Sequence, residues 1–254
     1  MSKLCYNSFM SYLIDTHCHL HDREFFTEIQ AKEMLAHAQE RNVRKIICIG
    51  TNHDDSLAAA EFAAGHDDVY WTYGIHPEFA VGPVSEKPDI RSNTPVAIGE
   101  VGLDYHYDGY DRQAQIRLFE QMLQLAVDSD LPLSFHVREA FDDFFPVVAN
   151  FPGVRGVVHS FTDSKKTLKR ILSETDFYVG VNGLATYSTL PTPPLDRILL
   201  ETDAPFLTPK PFRGIINEPA YVSAVALWLA TKLGLDHKII EEETTKNANQ
   251  LFKL

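Results

Sequence analysis

The sequence lacks the marks of membrane and secreted proteins. It has no uninterrupted apolar run of about 18 residues, the length that a membrane-spanning helix needs. The opening stretch MSKLCYNSFMSYLID has one lysine and too short an apolar segment for a signal peptide. Its cysteines, Cys5, Cys18 and Cys48, are odd in number and lack zinc-type spacing. We therefore expect a reducing, cytoplasmic setting. We also expect Met10 to be a candidate start, with residues 1–9 a loose extension.

Basic charge is also scarce. The chain has 23 Lys and Arg against 35 Asp and Glu, a formal net charge of −12. Proteins that hold nucleic acid by broad electrostatic attraction usually present a basic face. The densest basic stretch, KKTLKR at 165–170, is spread around a helix by its spacing. An anionic substrate would therefore depend on a cation in the site for much of its attraction.

Several nucleotide-binding and catalytic motifs are missing. There is no dinucleotide-binding glycine pattern, no phosphate-loop lysine and no Gly-x-Ser-x-Gly. No Gly/Ser/Pro-rich linker or low-complexity segment divides the chain. The 254 residues match the roughly 250 of a typical α/β barrel, so we expect one domain over 1–254.

Strand-like and helix-like segments alternate along the chain. Eight apolar runs predict strands: Tyr12–Thr16, Lys45–Gly50, Val69–His76, Pro95–Gly102, Pro132–Val137, Arg155–Phe161, Phe177–Gly183 and Asp196–Asp203. Helical patterns lie between most of them: Thr27–Arg41, Asp54–Ala64, Gln113–Asp130, Glu139–Asn150 and Ser164–Glu174. Alternation of this kind indicates a parallel sheet, and eight repeats predict a closed (β/α)8 TIM barrel.

Two of the crossovers are poor in helix formers. Residues 77–94 contain three prolines and a glycine, and residues 184–195 are only twelve long and end in LPTPPL. Proline removes a backbone donor and clashes with the preceding turn of a helix. We therefore expect the third and seventh crossover helices to be reduced or absent, leaving the site more open on those sides.

The stretch IDTHCHLHD places three histidines at alternate positions after an apolar run. On a strand, His17 and His19 would face the same way, about 7 Å apart along the backbone. Neutral imidazole is the commonest nitrogen donor to protein-bound metals, so the pair could meet on one cation. A single His-x-His pair is equally consistent with a histidine-rich loop, and the interpretation needs further donors elsewhere.

Such donors stand at the ends of the other predicted strands. In α/β barrels the chemistry lies where the strands end, at the C-terminal face. The residues with imidazole or carboxylate groups at those ends are His76, Glu100, His136, His159, Glu201 and Asp203. Their convergence with the first strand predicts a metal site at this face.

The number of donors favours two metal ions rather than one. Six protein ligands, His17, His19, Glu100, His136, His159 and Asp203, exceed what one catalytic ion with an open position requires. Glu100 comes from a strand between the two histidine groups and could bridge the ions. Two metals clamp the attacking and leaving oxygens of a displacement, and Asp203 could accept the proton of the attacking water. Imidazole and carboxylate together suit Zn²⁺, Mn²⁺ and possibly Mg²⁺.

Motifs along nearly the whole chain resemble the TatD family of metal-dependent deoxyribonucleases, part of the amidohydrolase-like barrels. They follow one another in order: IDTHCHL, GIHP, AIGEVGLDY, LPLSFHVREA, GVVHSF, LLETDAPFL, RGIINEP and TTKNANQLF. The resemblance implies a (β/α)8 barrel and Mg²⁺-dependent hydrolysis of DNA, usually from the 3′ end. It implies the same six ligands and a role for His76 near a substrate phosphate, while Glu201 is expected to support a ligand.

One segment departs from the family pattern. Relatives usually read Pro-His-Arg-Gly-Lys-Arg-Asn-Glu-Pro where this chain has Pro211–Pro219, so Phe212, Ile215 and Ile216 replace basic residues. Arg213 is the remaining basic side chain of this segment. We expect weak DNA binding with a shallow salt dependence. Phe212 would either stack on a base or pack, with the isoleucines, against the loop after the last strand.

Three functions fit the sequence. The first is a two-metal phosphodiesterase acting on single-stranded DNA or DNA ends. The second is hydrolysis of another bond by the same metals, such as an ester, a lactone or an aminoacyl ester on tRNA, which the lost basic residues favour. The third is a silent barrel that serves as a binding scaffold, which the complete donor set argues against. No membrane or protein partner is implied, and we expect a monomer.

Overall fold

The computed structural model describes residues 11–80 and 94–254, and eight of their strands form one parallel sheet. The strands are β1 (Leu13–Cys18), β2 (Val43–Cys48), β3 (Val69–Tyr73), β4 (Ala97–Asp104), β5 (Leu133–Arg138), β6 (Gly156–Val158), β7 (Tyr178–Val181) and β8 (Ile198–Leu200). Each strand pairs in parallel with the next along the chain. Beyond the ladder, the backbone N–H groups of Asp203 and His19 donate to His17 and Ala204 carbonyls at 2.8 Å. This contact brings the last strand against the first, and the predicted TIM barrel is confirmed.

Seven α-helices accompany the strands in the described residues. They are α1 (Glu28–Glu40), α2 (His53–Ala64), α3 (Arg112–Ser129), α4 (Phe141–Ala149), α5 (Lys165–Glu174), α6 (Val222–Leu233) and α7 (His237–Phe252). Side chains fix several of the starts: Thr27, Asn52, Asp111 and Ser164 each accept a hydrogen bond from a backbone N–H of the first turn. The first five match predicted helices, whereas α6 and α7 follow the last strand and were not among the predicted crossovers.

Several strands end earlier than the sequence predicted. β3 stops at Tyr73, β6 at Val158 and β8 at Leu200. The residues beyond them leave the ladder as turns; Ser160 and Asp203, for example, have φ angles of 46° and 59°. His76, His159 and Asp203 are therefore carried on the turns that follow the strands rather than on the strands themselves.

Alternate residues of the strands face two different hydrophobic cores. Most buried residues belong to the larger core, to which Ile46 and Cys48 of β2 contribute. The smaller core is built by alternate positions such as Ile47, Ile49 and Leu199, together with Leu251 and Phe252 of α7. Ile14, which precedes the histidines of β1, also lies in this smaller core. The end of α7 therefore packs against the barrel interior at the end opposite the histidines.

The seventh crossover contains no α-helix, as predicted. Its described residues form only two 3₁₀ turns, Gly183–Thr186 and Leu195–Arg197. At the third crossover Pro77–Phe79 forms a 3₁₀ turn, and the remainder of the predicted irregular segment up to residue 93 lies outside the described residues. The predicted extension at 1–9 lies outside them too. Across 11–80 and 94–254, every helix is too short or too polar to cross a membrane.

Candidate metal centre

The six predicted donors meet at one mouth of the barrel. β1 supplies His17 and His19, β4 supplies Glu100 and β5 supplies His136, while His159 and Asp203 come from the turns after β6 and β8. Their side chains are largely buried, from 1% exposed for His17 to 18% for His136. Side chains from five separate segments of the chain therefore converge on one sheltered site.

Glu100 lies between three of the histidines. Its Oε1 atom is 2.7 Å from His136 Nδ1 and 3.4 Å from His159 Nε2, and its Oε2 atom is 3.5 Å from His17 Nε2. The carboxylate thus presents each of its oxygens to a different part of the donor set. Glu100 is therefore in contact with three of the candidate ligands at once.

Asp203 approaches the histidines of β1 from the other side. Its Oδ1 atom is 3.5 Å from His19 Nε2 and 3.6 Å from His17 Nε2. The backbone bond from Asp203 N to the His17 carbonyl fixes this approach, because it ties the turn after β8 to β1. His17 therefore has a carboxylate on each side.

Groups of three donors are close enough to share a cation. His17, His19 and Asp203 form one group, and His76, Glu100 and His136 form another; in each, the candidate ligand atoms lie within 4.8 Å of one another. A third group, with His17, His159 and Glu201, overlaps the first. His76 therefore lies among the donors themselves, closer to the centre than a contact to substrate alone would need.

Unsatisfied buried atoms point to a missing ligand. His17 Nε2, His159 Nδ1 and Glu201 Oε2 are buried and have no hydrogen-bond partner in the part of the chain that the structure describes. Buried polar atoms are rarely left without a partner, since an unmade bond costs about 1–3 kcal/mol. Nitrogen and carboxylate donors also form the ligand set that divalent transition metals prefer. The residues present therefore fit a metal centre.

The carboxylates and histidines of the cluster stabilise each other's charged forms. Burial alone would raise the pKa of Glu100, but the charge of His159 and the hydrogen bond from His136 hold it well below its ordinary value. Burial would lower the pKa of His159, yet the nearby carboxylates of Glu201 and Glu100 raise it to about 10. A histidine must lose its proton to bind a metal, so a bound cation would replace these protons as the counter-charge of the carboxylates.

A hydrogen bond to His19 and an ion-pair contact to His159 orient the two rings toward the centre. His19 Nδ1 lies 3.0 Å from the Ile49 carbonyl oxygen, which can only accept, so Nδ1 carries the proton and Nε2 faces Asp203. Glu201 Oε1 lies 3.2 Å from His159 Nδ1, which leaves His159 Nε2 directed at Glu100. Partners of this kind fix the tautomer and orientation of metal-binding imidazoles. Glu201 thus contacts His159, and its supporting role stays a prediction.

Glu201 occupies space that only a glycine leaves open. A Cβ atom on Gly180 of β7 would lie 2.3 Å from Glu201 Oε2. Glu201 also accepts a 2.6 Å hydrogen bond from the Ser160 backbone N–H, so it has little freedom to move away. We expect Gly180→Ala to push the carboxylate off His159 and to weaken metal binding about 10- to 100-fold. Competition with a chelating dye would measure this affinity.

Gly65→Ala provides the matched control for that substitution. Gly65 ends α2 in ordinary right-handed conformation, and an added Cβ would meet its nearest neighbour at an ordinary 3.5 Å. Its metal affinity should equal that of the wild type. Equal affinities in Gly180→Ala and Gly65→Ala would contradict a role for Glu201 in holding His159.

The structure adds residues that the sequence analysis did not identify. Asp104 Oδ2 lies 2.9 Å from His136 Nε2, so His136 is held between two carboxylates. Asp15 is fully buried and accepts hydrogen bonds from the backbone N–H and the hydroxyl of Thr202, at 2.8 and 2.6 Å. Both are carboxylates adjoining the motifs already singled out, at the end of AIGEVGLD and the start of IDTHCHL. Their positions in the sequence were visible, but their partners were not.

The segment 211–219 is arranged differently from either sequence-based alternative. Phe212 packs on Tyr221 with ring centroids 4.0 Å apart, whereas Ile215 and Ile216 are 53% and 56% exposed. Phe212 therefore packs against the protein, as one alternative predicted, whereas the two isoleucines do not. Arg213 has a basic neighbour, since Lys210 and Arg213 lie 5.1 and 5.4 Å from the ring of Tyr187.

Two further histidines near the mouth have carboxylate partners. His21 is buried, and its Nε2 lies 3.0 Å from Asp55 Oδ1. His106 pairs with Glu139 at 2.6 Å. Neither belongs to the donor groups formed by the described residues. They support the surrounding loops rather than the centre.

Known proteins share this fold and these motifs. Residues 14–253 match the family model described as TatD related DNase. A Bacillus subtilis protein named uncharacterized metal-dependent hydrolase YabD is 33% identical over 256 residues, covering 95% of this chain and 99% of that protein. The 3′–5′ ssDNA/RNA exonuclease TatD of Salmonella typhimurium is 32% identical over 244 residues, covering 87% and 92%.

A solved structure agrees with these matches. The crystal structure of the Escherichia coli TatD homologue YjjV superimposes with a TM-score of 0.81 at 27% identity, covering 95% of this chain and 98% of that chain. The family model matches almost the whole chain, and the Bacillus subtilis relative matches the chain over nearly its full length. The chain therefore belongs to the TatD-related DNase family, whose curated relatives are named metal-dependent hydrolases and exonucleases.

Proposed function

We propose that this protein hydrolyses phosphodiester bonds in single-stranded DNA, from the 3′ end, with two divalent metal ions. The observation that carries the proposal is Glu100, whose two carboxylate oxygens lie 2.7–3.5 Å from nitrogens of His136, His159 and His17. A carboxylate in this position can be shared between two cations. The name of the Salmonella relative, a 3′–5′ ssDNA/RNA exonuclease, supports the choice of bond.

The donors divide between the two ions. His17, His19 and Asp203 would hold one, and Glu100, His136 and His76 the other. His159 faces Glu100 and would join the second ion, while Glu100, which also faces His17, would be shared by both. When bound, the metals polarise a phosphoryl oxygen and lower the pKa of a water molecule. Asp203 is the catalytic carboxylate on the open side, with its side chain 15% exposed, and it would accept the proton of the attacking water.

Between β8 and residue 219, the described chain offers two basic side chains to hold the strand. Arg213 and Lys210 are exposed and both lie over Tyr187, so together they offer a small positive patch for a phosphate. The net charge of −12 opposes any broader attraction. Each phosphate contact contributes about 0.7 to the log–log salt slope for a single strand. Binding should therefore depend only weakly on salt.

A hydrolysis screen tests the proposed reaction. The substrates are single-stranded DNA, single-stranded RNA, duplex DNA, aminoacyl-tRNA and a phenyl ester, each with Mg²⁺, Mn²⁺ or Zn²⁺. We expect release of mononucleotides from the 3′ end of single-stranded DNA, lost on chelation and restored by metal. Elemental analysis of protein reconstituted with Mn²⁺ should approach two ions per chain. Absence of phosphodiester cleavage with every metal would overturn the nuclease proposal, and a firm limit of one ion would overturn the bridged pair.

Exposed apolar residues favour ester hydrolysis as the second candidate. Ile215 and Ile216 are more than half exposed, at positions where the family pattern that the sequence resembles has basic residues. A less charged substrate would tolerate this surface better than a nucleic acid would. Turnover of the phenyl ester, without turnover of DNA or aminoacyl-tRNA in the same screen, would establish this alternative.

A further inference from the structure

Two exposed phenylalanines adjoin the metal centre. Phe206 is 47% exposed and Phe25 is 44% exposed, and their rings meet edge to face with centroids 5.2 Å apart. The ring of Phe206 lies 6.4 Å from that of His19. Single exposed apolar side chains are common on protein surfaces, but here two exposed rings contact each other beside the candidate metal ligands.

The backbone beneath Phe206 is firmly held. Its N–H donates to the Asp203 carbonyl at 2.8 Å, and its own carbonyl accepts from the buried side chain of Asn217 at 2.5 Å. Phe206 therefore lies three residues from a candidate ligand on a turn tied at both its N–H and its carbonyl. The exposed ring is positioned by its surroundings although it is not buried by them.

Phe25 lies on the loop after β1, and its backbone is also held by a hydrogen bond. Its N–H and that of Phe26 donate to the Asp22 carbonyl at 3.3 and 3.0 Å, and the neighbouring Phe26 is only 1% exposed. The loop after β1 and the turn after β8 thus each present one ring. The pair is formed where the barrel closes, beside His19.

We propose that Phe25 and Phe206 form a stacking platform for the base of the nucleotide whose phosphate occupies the metal centre. This inference rests on the proposed action on single-stranded nucleic acid. One sugar separates a phosphate from its base, so a phosphate beside His19 puts that base within reach of Phe206. Stacking is independent of charge, which suits a chain with a net charge of −12. A base inside a duplex is stacked on both faces, so the platform favours single strands over duplex interiors.

Fluorescence of a short strand ending in 2-aminopurine at its 3′ end tests the platform. The strand carries a cleavage-resistant linkage at its 3′ end and is titrated into metal-loaded protein, so that binding is measured without cleavage. Stacking should quench the emission in the wild type. Phe206→Ala should abolish the quenching and weaken binding roughly 5- to 150-fold, the range for loss of one stacked base. Phe25→Ala should reduce both, and Phe206→Trp should restore them.

Tyr107→Ala is the matched control. Tyr107 is 66% exposed on the loop after β4, across the mouth from the phenylalanines. Its loss should leave quenching and affinity unchanged. Unaltered quenching in Phe206→Ala, or its loss in Tyr107→Ala instead, would overturn the platform. Failure of the wild type to cleave the corresponding unmodified strand would count against the nuclease proposal alone, because the quenching is measured separately.

Discussion

A Glu100→Ala variant is expected to lose metal-dependent hydrolysis by more than about 100-fold in kcat/KM. Removing a partner that only supports a ligand typically costs about 10–100-fold in metal affinity or activity, and Glu100 lies among the ligands themselves. Its carboxylate contacts His136, His159 and His17, so its loss deprives both halves of the donor set. Metal content by elemental analysis and turnover on single-stranded DNA would be measured together.

Two comparisons make the Glu100 result specific. Glu100→Gln keeps the shape of the side chain but offers one acceptor oxygen and no charge, so it should bind fewer metal ions while remaining folded. Glu28→Gln alters a side chain that is 67% exposed on α1 and should behave as wild type. Near-normal activity and full metal content in Glu100→Ala would refute the central position given to this residue.

The second large effect concerns stability at the seam of the barrel. Asp15 on β1 accepts hydrogen bonds from the backbone N–H and the hydroxyl of Thr202, which follows β8. Asp15→Ala would leave both buried donors unpaired, at about 1–3 kcal/mol each. The free energy of unfolding should therefore fall by about 2–6 kcal/mol, as measured by urea denaturation.

The same substitution should weaken metal binding, because β1 carries His17 and His19 while the turn after β8 carries Asp203. Asp15→Asn retains a carbonyl acceptor and should lose less stability than Asp15→Ala. Asp128→Ala, at an exposed position on α3, is the control and should unfold like the wild type. If Asp15→Ala and Asp128→Ala unfold at the same urea concentration, the seam does not depend on this carboxylate.

The barrel and its donors were predictable because each signal is local. Apolar runs that alternate with helical patterns predict strands, and a histidine or carboxylate directly after such a run is predicted to lie at a strand end. His17 and Glu100 could therefore be assigned to one face from the sequence alone. The missing information concerned contacts between distant segments, such as the bond from Thr202 to Asp15, which lie 187 positions apart. No periodicity encodes such a partner.

The substrate-facing residues show the same limit. Phe212 was singled out because it replaces a basic residue of the family pattern, yet one face of its ring stacks on the ring of Tyr221. Phe206 lies in the motif LLETDAPFL, but nothing in the sequence indicates that its ring, or that of Phe25, is exposed near His19. Whether an aromatic ring is free depends on which segment packs over it, and this is decided by the fold.

Helix α7 has a consequence for how the chain reaches its folded state during synthesis. It comes after all eight strands, yet its Asn247 side chain donates to the carbonyls of Leu195 and Ile198, and Thr245 Oγ1 donates to Tyr12 beside β1. A ribosome releases α7 after every strand has emerged. Until then Ile14, Ile47 and Leu199 lack the cover that Leu251 and Phe252 provide. The nascent barrel therefore has an exposed apolar end that chaperones would recognise, and it becomes fully closed only once α7 has docked.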